Sequence, residues 1–239
     1  NLCWKNSGNL MLHRTRGIVL SYIKYKETSI IVRIFTEAFG MQSYIVNSVR
    51  SAKSRGKMAL YQPLSLLDLV VYHKSGKDLQ RISETKFSYA YSSIPFNPLK
   101  TGVSIFLTEI LTKILREESE NEGLYDFVHQ AMVIFDHLET NISNFHLQFL
   151  MKCSGYLGFE PQSAEGFIEE LAENGVHFTT LETERVIISA LMNKPLGDEI
   201  ALSSQLRRDV LSHIIKFYQI HVSGLNEIKS LEVLKEVLS

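Results

Sequence analysis

The hydrophobic period of this chain changes once, near residue 95, and that change limits the fold more than any single motif does. From Gly17 to Tyr91 apolar and polar residues alternate, favouring β-branched and aromatic types, in GIVLSYIKY, TSIIVRIFT, MQSYIVNS, LSLLDLVVYH and RISETKFSYAY. Five strands are expected. Turn chemistry separates them at Lys26-Glu27, at Gly40 and at Ser75-Gly76-Lys77-Asp78, leaving residues 47–63 as the one long connection. An open sheet of five short antiparallel strands would expose two edges, so a small closed barrel is expected.

The segment Ser93-Ile94-Pro95-Phe96-Asn97-Pro98 reads as a linker, because two prolines disfavour both helix and ladder pairing. Beyond it the period is helical. Residues 99–118 place Val103, Phe106, Leu107, Ile110, Leu111, Ile114 and Leu115 on one stripe, and residues 124–138 repeat the pattern up to Leu138. Further helices are expected around Phe145–Leu150, in FIEELAENG, in ERVIISALMN, from Ser203 or Ser204 to His221, and over 226–237 with Asn226 as cap. The expected class is α+β multidomain: an upstream extension at 1–10, a five-stranded antiparallel barrel at 11–92, a linker at 93–98 and an all-α domain at 99–239.

The formal net charge is −1, but its distribution is uneven. Residues 1–97 hold 14 Lys+Arg against 5 Asp+Glu, and residues 98–239 hold 11 against 21. A basic barrel and an acidic helical domain imply different partners, the first a polyanion. No apolar run reaches the roughly 18 residues of a membrane helix, and residues 1–10 lack a signal peptide's apolar stretch, so a cytoplasmic protein is expected. The two cysteines, Cys3 and Cys153, are too far apart in sequence for a CxxC knuckle, and Cys153 reads as a small core residue.

An enzyme is not expected. The barrel has no close carboxylate pair for a two-metal site, and no GxGxxG, GxxxxGK[ST] or GxSxG motif occurs. His129 and His137, like His213 and His221, lie eight residues apart, too far to chelate one metal from a helix face, and read as surface or boundary residues.

The long connection, NSVRSAKSRGKMALYQP, packs Arg50, Lys53, Arg55 and Lys57 into eight residues without an acid. In a barrel such a loop overhangs a groove across the sheet, where its cations can follow a phosphate backbone while Ser48, Ser51, Ser54 and Gly56 keep it adaptable. Strand and turn residues Lys24, Arg33, Lys74, Lys77 and Arg81 widen the positive surface, and exposed members of Tyr22, Tyr25, Phe39, Tyr44 and Tyr72 are candidates for base stacking.

GIVLSYIKYKETSIIVRIFTEAFG, SVRSAKSRGKMALYQPLSLLDL, FLMKCSGYLGFEPQ and HVSGLNEIKSLEVLKEVL, in this order, resemble the RecO family of bacterial DNA recombination and repair mediators. The resemblance implies an OB-fold followed by a helical domain, binding of single- and double-stranded DNA, and annealing of complementary strands. It also implies partnership with RecR, recognition of the acidic C-terminal tail of single-stranded-DNA-binding protein (SSB), and indirect help to RecA. Carried over by position, Arg50, Lys53, Arg55 and Lys57 are its DNA contacts. Arg207 and Arg208 are the candidates for the tail, against the plainer reading of an exposed helix face.

Many relatives carry a four-cysteine zinc knuckle after the GYLGFEP-like stretch, whereas residues 162–200 here contain no cysteine. No cofactor and no zinc are therefore expected, and apolar contacts of Phe167, Leu171, Phe178, Val186 and Ile187 must hold that region. Two other classes fit the same residues: a protein-interaction adaptor, and an RNA-binding OB-fold protein, since nothing in the residues reads a 2′-hydroxyl.

Overall fold

The structure is a computed structural model and describes residues 11–50, 56–115 and 119–238. The chain divides into two compact units, the first running to Ala90 and the second starting at Tyr91.

The first unit consists of β1 (Met11–Tyr25), β2 (Ser29–Thr36), β3 (Gly40–Val46), a one-turn helix α1 (Lys57–Leu60), β4 (Leu66–His73) and β5 (Leu79–Tyr89). They close into a barrel in the order β1-β2-β3-β5-β4, the strand order of an OB-fold. β1 is longer than its alternation from Gly17 predicts because it serves two neighbours. Its first half pairs with β4, from Met11↔His73 to Ile18↔Leu66, and its second with β2, from Gly17↔Thr36 to Tyr25↔Ser29. Gly17 stands at the crossing, where a methyl group would lie 2.6 Å from Ile34 Cγ2 and 2.7 Å from Leu69 Cδ1. The last closure, β3 to β5, is parallel and only three residue pairs long, Ser43↔Leu79 to Ile45↔Arg81.

Inward-facing Val19, Ile30, Val32, Ile34, Tyr44, Leu67, Leu69 and Val71 fill the barrel, and Val49 and Tyr61 from the long connection join this core. Tyr44 is fully buried and its hydroxyl is pushed up by desolvation, so it is a core residue and cannot stack on a base. Tyr22 and Phe39 also pack on the core, Phe39 with its ring stacked 4.0 Å from that of His73.

The second unit holds α2 (Pro98–Ile114), α3 (Glu122–His137), α4 (Phe145–Tyr156), α5 (Ala164–Glu173), α6 (Leu181–Asn193), α7 (Ser204–His221) and α8 (Ser230–Leu238). Its core is aromatic: the Phe135 and Phe145 rings stack at 4.3 Å, and the buried Tyr218 hydroxyl donates to Leu150 O at 2.7 Å. Among the described residues no helix is long and apolar enough to cross a membrane.

Residues 93–98 are not a free linker. Ile94–Phe96 form a 3₁₀ turn, Pro98 is the first residue of α2, and the Asn97 side chain caps that helix by accepting from Leu99 N and Lys100 N. The prolines thus start a helix. The buried carboxylate of Asp136 fixes the turn by accepting from the backbone N–H of Ser92 (2.8 Å), Ser93 (2.9 Å) and Ile94 (2.9 Å) and from the Ser92 hydroxyl (2.9 Å). These donors hold the Asp136 carboxyl far below the usual carboxylate range although burial alone would raise it. Lys100 Nζ, also buried, donates to Asp136 O at 2.8 Å.

α2 ends at Ile114, short of the expected 118. The last helix starts at Ser230, four residues after the expected Asn226 cap, because its cap comes from elsewhere in the chain. The Glu109 carboxylate of α2 accepts from Lys229 N (3.1 Å) and Ser230 N (2.7 Å). α8 then crosses α2 so closely that a methyl group on Gly102 would sit 2.5 Å from Val237 Cγ2.

In the region without cysteines, Phe167, Leu171 and Ile187 are buried as expected, but Val186 is 65% exposed and Phe178 is only half-buried, its ring 4.6 Å from that of His213. Polar pairs also hold this region to α7. Glu184, 1% exposed, meets His213 Nδ1 at 2.6 Å, and Glu170 meets His221 Nε2 at 2.8 Å, so two of the histidines read as surface residues tie α7 to α6 and α5.

Candidate nucleic-acid interface

Alternation along β1, β2 and β3 turns two rows of side chains outward. One row is Ser21–Arg33–Ser43–Leu79, read across β1, β2, β3 and β5, and its neighbour is Ile23–Ile31–Ile45–Arg81. The second row continues onto β4 as Tyr72 and returns to β1 at Leu12, the stagger that closing a barrel demands. Ile23 is 63% and Leu12 55% exposed, unusual for branched aliphatics on a strand. Neither β2 nor β3 contains an acid.

The cations frame this surface from several elements. Arg33 stands in the middle of β2. Arg50 is placed by the β1–β2 turn: its backbone N–H donates to Thr28 O (3.0 Å) and its guanidinium reaches Lys26 O (3.4 Å), while adjacent Val49 is buried. Lys24 is opposite Ile30 and so points to the barrel's mouth, where it is exposed. Lys74 and Lys77 occupy the β4–β5 turn, which the buried Gln80 amide holds by donating 2.8 Å to Lys74 O and to Lys77 O. Arg81 extends the isoleucine row, and exposed Lys57 lies with it on one groove. Lys53 and Arg55 lie outside the described residues. Among the described residues, Lys24, Lys57, Lys74, Lys77 and Arg81 make no ion pair, although Glu27 and Asp78 occupy the two flanking turns.

The opposite face of the barrel is arranged differently. There Arg16 lies across from Asp68, which lies across from Lys86, and Arg14 lies across from Val70 beside Glu84. Arg16 is paired with Glu37 at 2.6 Å and Lys86 with Asp68 at 3.4 Å, and Arg14 shares one cavity with Glu37, Asp68 and Glu84. That face is neutralised by its own carboxylates. On the β1–β2–β3–β5 side, Lys57, Lys74, Lys77 and Arg81 make no ion pair among the described residues, so their counter-charge comes from solvent or from a ligand.

The strand pattern did not reveal the aliphatic row, because isoleucines in an alternating run read as core. Of the five aromatics proposed for stacking, only Tyr25 and Tyr72 are half-exposed on outward positions, Tyr25 with Lys26 Nζ 5.4 Å from its ring centroid.

In the helical unit Arg207 and Arg208 are not a plain solvated face. They line a groove of about 230 Å³ between α7 and α8 whose floor is Leu211, Ile215, Leu231 and Leu234 and whose rim includes Lys235. Arg207 is half-buried and donates from Nε to Asn144 Oδ1 at 2.7 Å, and Arg208 donates to Gln205 Oε1. Among the described residues, no three His, Cys, Asp or Glu side chains converge where a metal could sit.

Comparison with known proteins agrees with this architecture unit by unit. The family description "Recombination protein O N terminal" matches residues 11–91 and "Recombination protein O C terminal" matches residues 95–232. The DNA repair protein RecO of Phocaeicola vulgatus is 34% identical over 96% of this chain and 100% of its own length. That of Flavobacterium psychrophilum is 35% identical over 95% of this chain and 99% of its own. That of Azobacteroides pseudotrichonymphae is 31% identical, with 95% and 99% covered. With both family halves matched in order across nearly the whole chain, the protein belongs to the RecO family of DNA repair proteins.

Proposed function

We propose that this protein is a non-catalytic recombination mediator whose barrel face holds DNA by its backbone. The observation that carries the reading is the acid-free β2–β3 surface, with Arg33, Arg50, Lys57, Arg81, Lys74 and Lys77 arranged around an aliphatic floor. Phosphates set against those cations release counterions, which favours single or double strands with little sequence preference. Bases resting on isoleucine rather than aromatic rings are held weakly. That suits a protein that must let go, either by annealing two neutralised strands or by handing one to RecA together with RecR. The direct test mixes two complementary oligonucleotides with pure protein at low salt and follows duplex formation by fluorescence quenching. Acceleration is expected, and an unchanged rate would rule out the annealing mechanism.

The α7–α8 groove is the proposed seat of the acidic tail of SSB, since its carboxylates would match the cations Arg207, Arg208 and Lys235 that line the groove. A labelled tail peptide should bind, and Arg207→Ala with Arg208→Ala should weaken it about tenfold or more, the loss of one or two charge-assisted contacts. Equal binding by the double variant would move the tail site elsewhere.

A further inference from the structure

Beyond Ile45 and Arg81 the strands β3 and β5 separate, and α1 lies against β5 where they part. The gap is a groove of about 340 Å³ with no carboxylate among its described lining residues. Exposed Lys57 and Arg81 line it together with Asn47 and Ser83, while Ile45 and Ile82 supply apolar wall. Tyr61 also lines it, and burial pushes its hydroxyl up to about 12, against the opposing pull of the Thr85 hydroxyl, so it stays a neutral hydrogen-bonding group. Ile45 and Arg81 belong both to this groove and to the isoleucine row, so a strand lying along the row is led into it.

We propose that this groove is a slot for one unstacked nucleotide of a bound single strand, with its phosphate against Lys57 and Arg81 and its base against Ile45 and Ile82. The proposal rests on the DNA-binding reading above and specifies where on that face a base is taken out of the stack. Its volume is at the small end of the roughly 300–1,000 Å³ of ligand pockets, room for one nucleotide and not for two stacked ones. Two cations without an acid select a phosphate over an apolar guest, and aliphatic wall between them and Asn47 and Ser83 selects a nucleotide over free phosphate. A slot of this kind anchors a strand at one point and fixes its register, leaving the remaining bases for pairing.

The test uses a single-stranded oligonucleotide carrying 4-thiothymidine at one position, a series covering successive positions, with the full chain. Irradiation should join one nucleotide to peptides containing Ile45–Asn47 or Ile82–Thr85. Ser83→Trp, at an exposed position, should fill the slot, remove that cross-link and weaken binding roughly tenfold, the weight of about one bound base, while Ser83→Ala keeps both. The slot is overturned if the oligonucleotide binds but cross-links only elsewhere, or if Ser83→Trp leaves cross-link and affinity unchanged. If the oligonucleotide does not bind at all, the DNA-binding reading falls first and the slot with it.

Discussion

The barrel and the helical domain use lysine and arginine in opposite ways. In the helical domain cations are spent on the fold: Arg185 joins Glu165 and Glu182, Lys113 pairs with Glu109 and donates to Glu227 O, Lys194 donates to Glu199 O, and buried Lys100 donates to Asp136 O. On the β2–β3 side of the barrel, Lys57, Lys74, Lys77 and Arg81 make no ion pair among the described residues, and β2 and β3 carry no acid. The difference teaches that counting positive residues does not locate a polyanion site. Arg14, Arg16 and Lys86 are as basic as their counterparts across the barrel, yet Glu37, Asp68 and Glu84 share their cavity. What marks the proposed site is that Lys57, Lys74, Lys77 and Arg81 make no ion pair among the described residues.

That contrast can be broken most forcefully by removing Arg50, Lys57, Lys77 and Arg81 together. Changed to Ala, they should lower affinity for a single-stranded oligonucleotide by on the order of a hundredfold at 0.1 M salt, while the thermal midpoint stays within a few degrees. The matched control, Arg14→Ala with Lys86→Ala on the neutralised face, should change affinity less than about threefold. Affinity by anisotropy and unfolding by calorimetry read the two sets side by side.

In the helical domain the roles reverse. Asp136→Ala leaves three backbone N–H groups and a hydroxyl at Ser92–Ile94 without their acceptor and should cost about 3–5 kcal/mol of stability with barrel affinity for DNA unchanged. Because the folded carboxyl is held below its unfolded value, its stabilisation is present above the usual carboxylate range and is lost as pH falls through the depressed value. The variant's acid-unfolding curve should therefore be flatter than that of the wild type.

A smaller charge insertion sharpens the comparison from the other side. Ser43→Asp places a carboxylate across from Arg33 on the outward row and should weaken oligonucleotide binding roughly three- to tenfold by repelling the phosphates.

The smallest effect concerns a histidine. His146 is fully buried beside Arg207, neither ring nitrogen has a hydrogen-bond partner among the described residues, and desolvation brings its pKa down to about 3. The unfolded chain takes up a proton below about 6.5 and the folded one does not, so stability drains as pH falls from there towards 3. His146→Leu should remove that part of the slope and change stability at pH 7 by less than about 1.5 kcal/mol.

Local patterns made much of this legible. Period two with turn residues at Lys26-Glu27, Gly40 and Ser75–Asp78 marks the five strands, and Asn97, Asn121, Ser163 and Ser203 cap helices near where the spacing places them. What escaped depends on partners distant in sequence. Nothing near Ser230 announces that Glu109 will cap its helix, and nothing near Pro95 announces Asp136. The isoleucine row escaped for a different reason: alternation fixes that Ile23, Ile31 and Ile45 share a face, but not that this face looks out. The basic connection was conspicuous from composition, and Val49, Tyr61 and the Thr28 carbonyl fix its ends.

The central claim, that the acid-free barrel face grips phosphates, is tested most directly by the salt dependence of single-stranded oligonucleotide binding. Anisotropy titrations between low and physiological salt should give a steep linear fall of log affinity for the wild type. The Arg50, Lys57, Lys77 and Arg81 variant should have a slope shallower by about 2.8, roughly 0.7 per lost phosphate contact. Equal slopes for the two proteins would contradict the account, because those four cations would then hold no DNA.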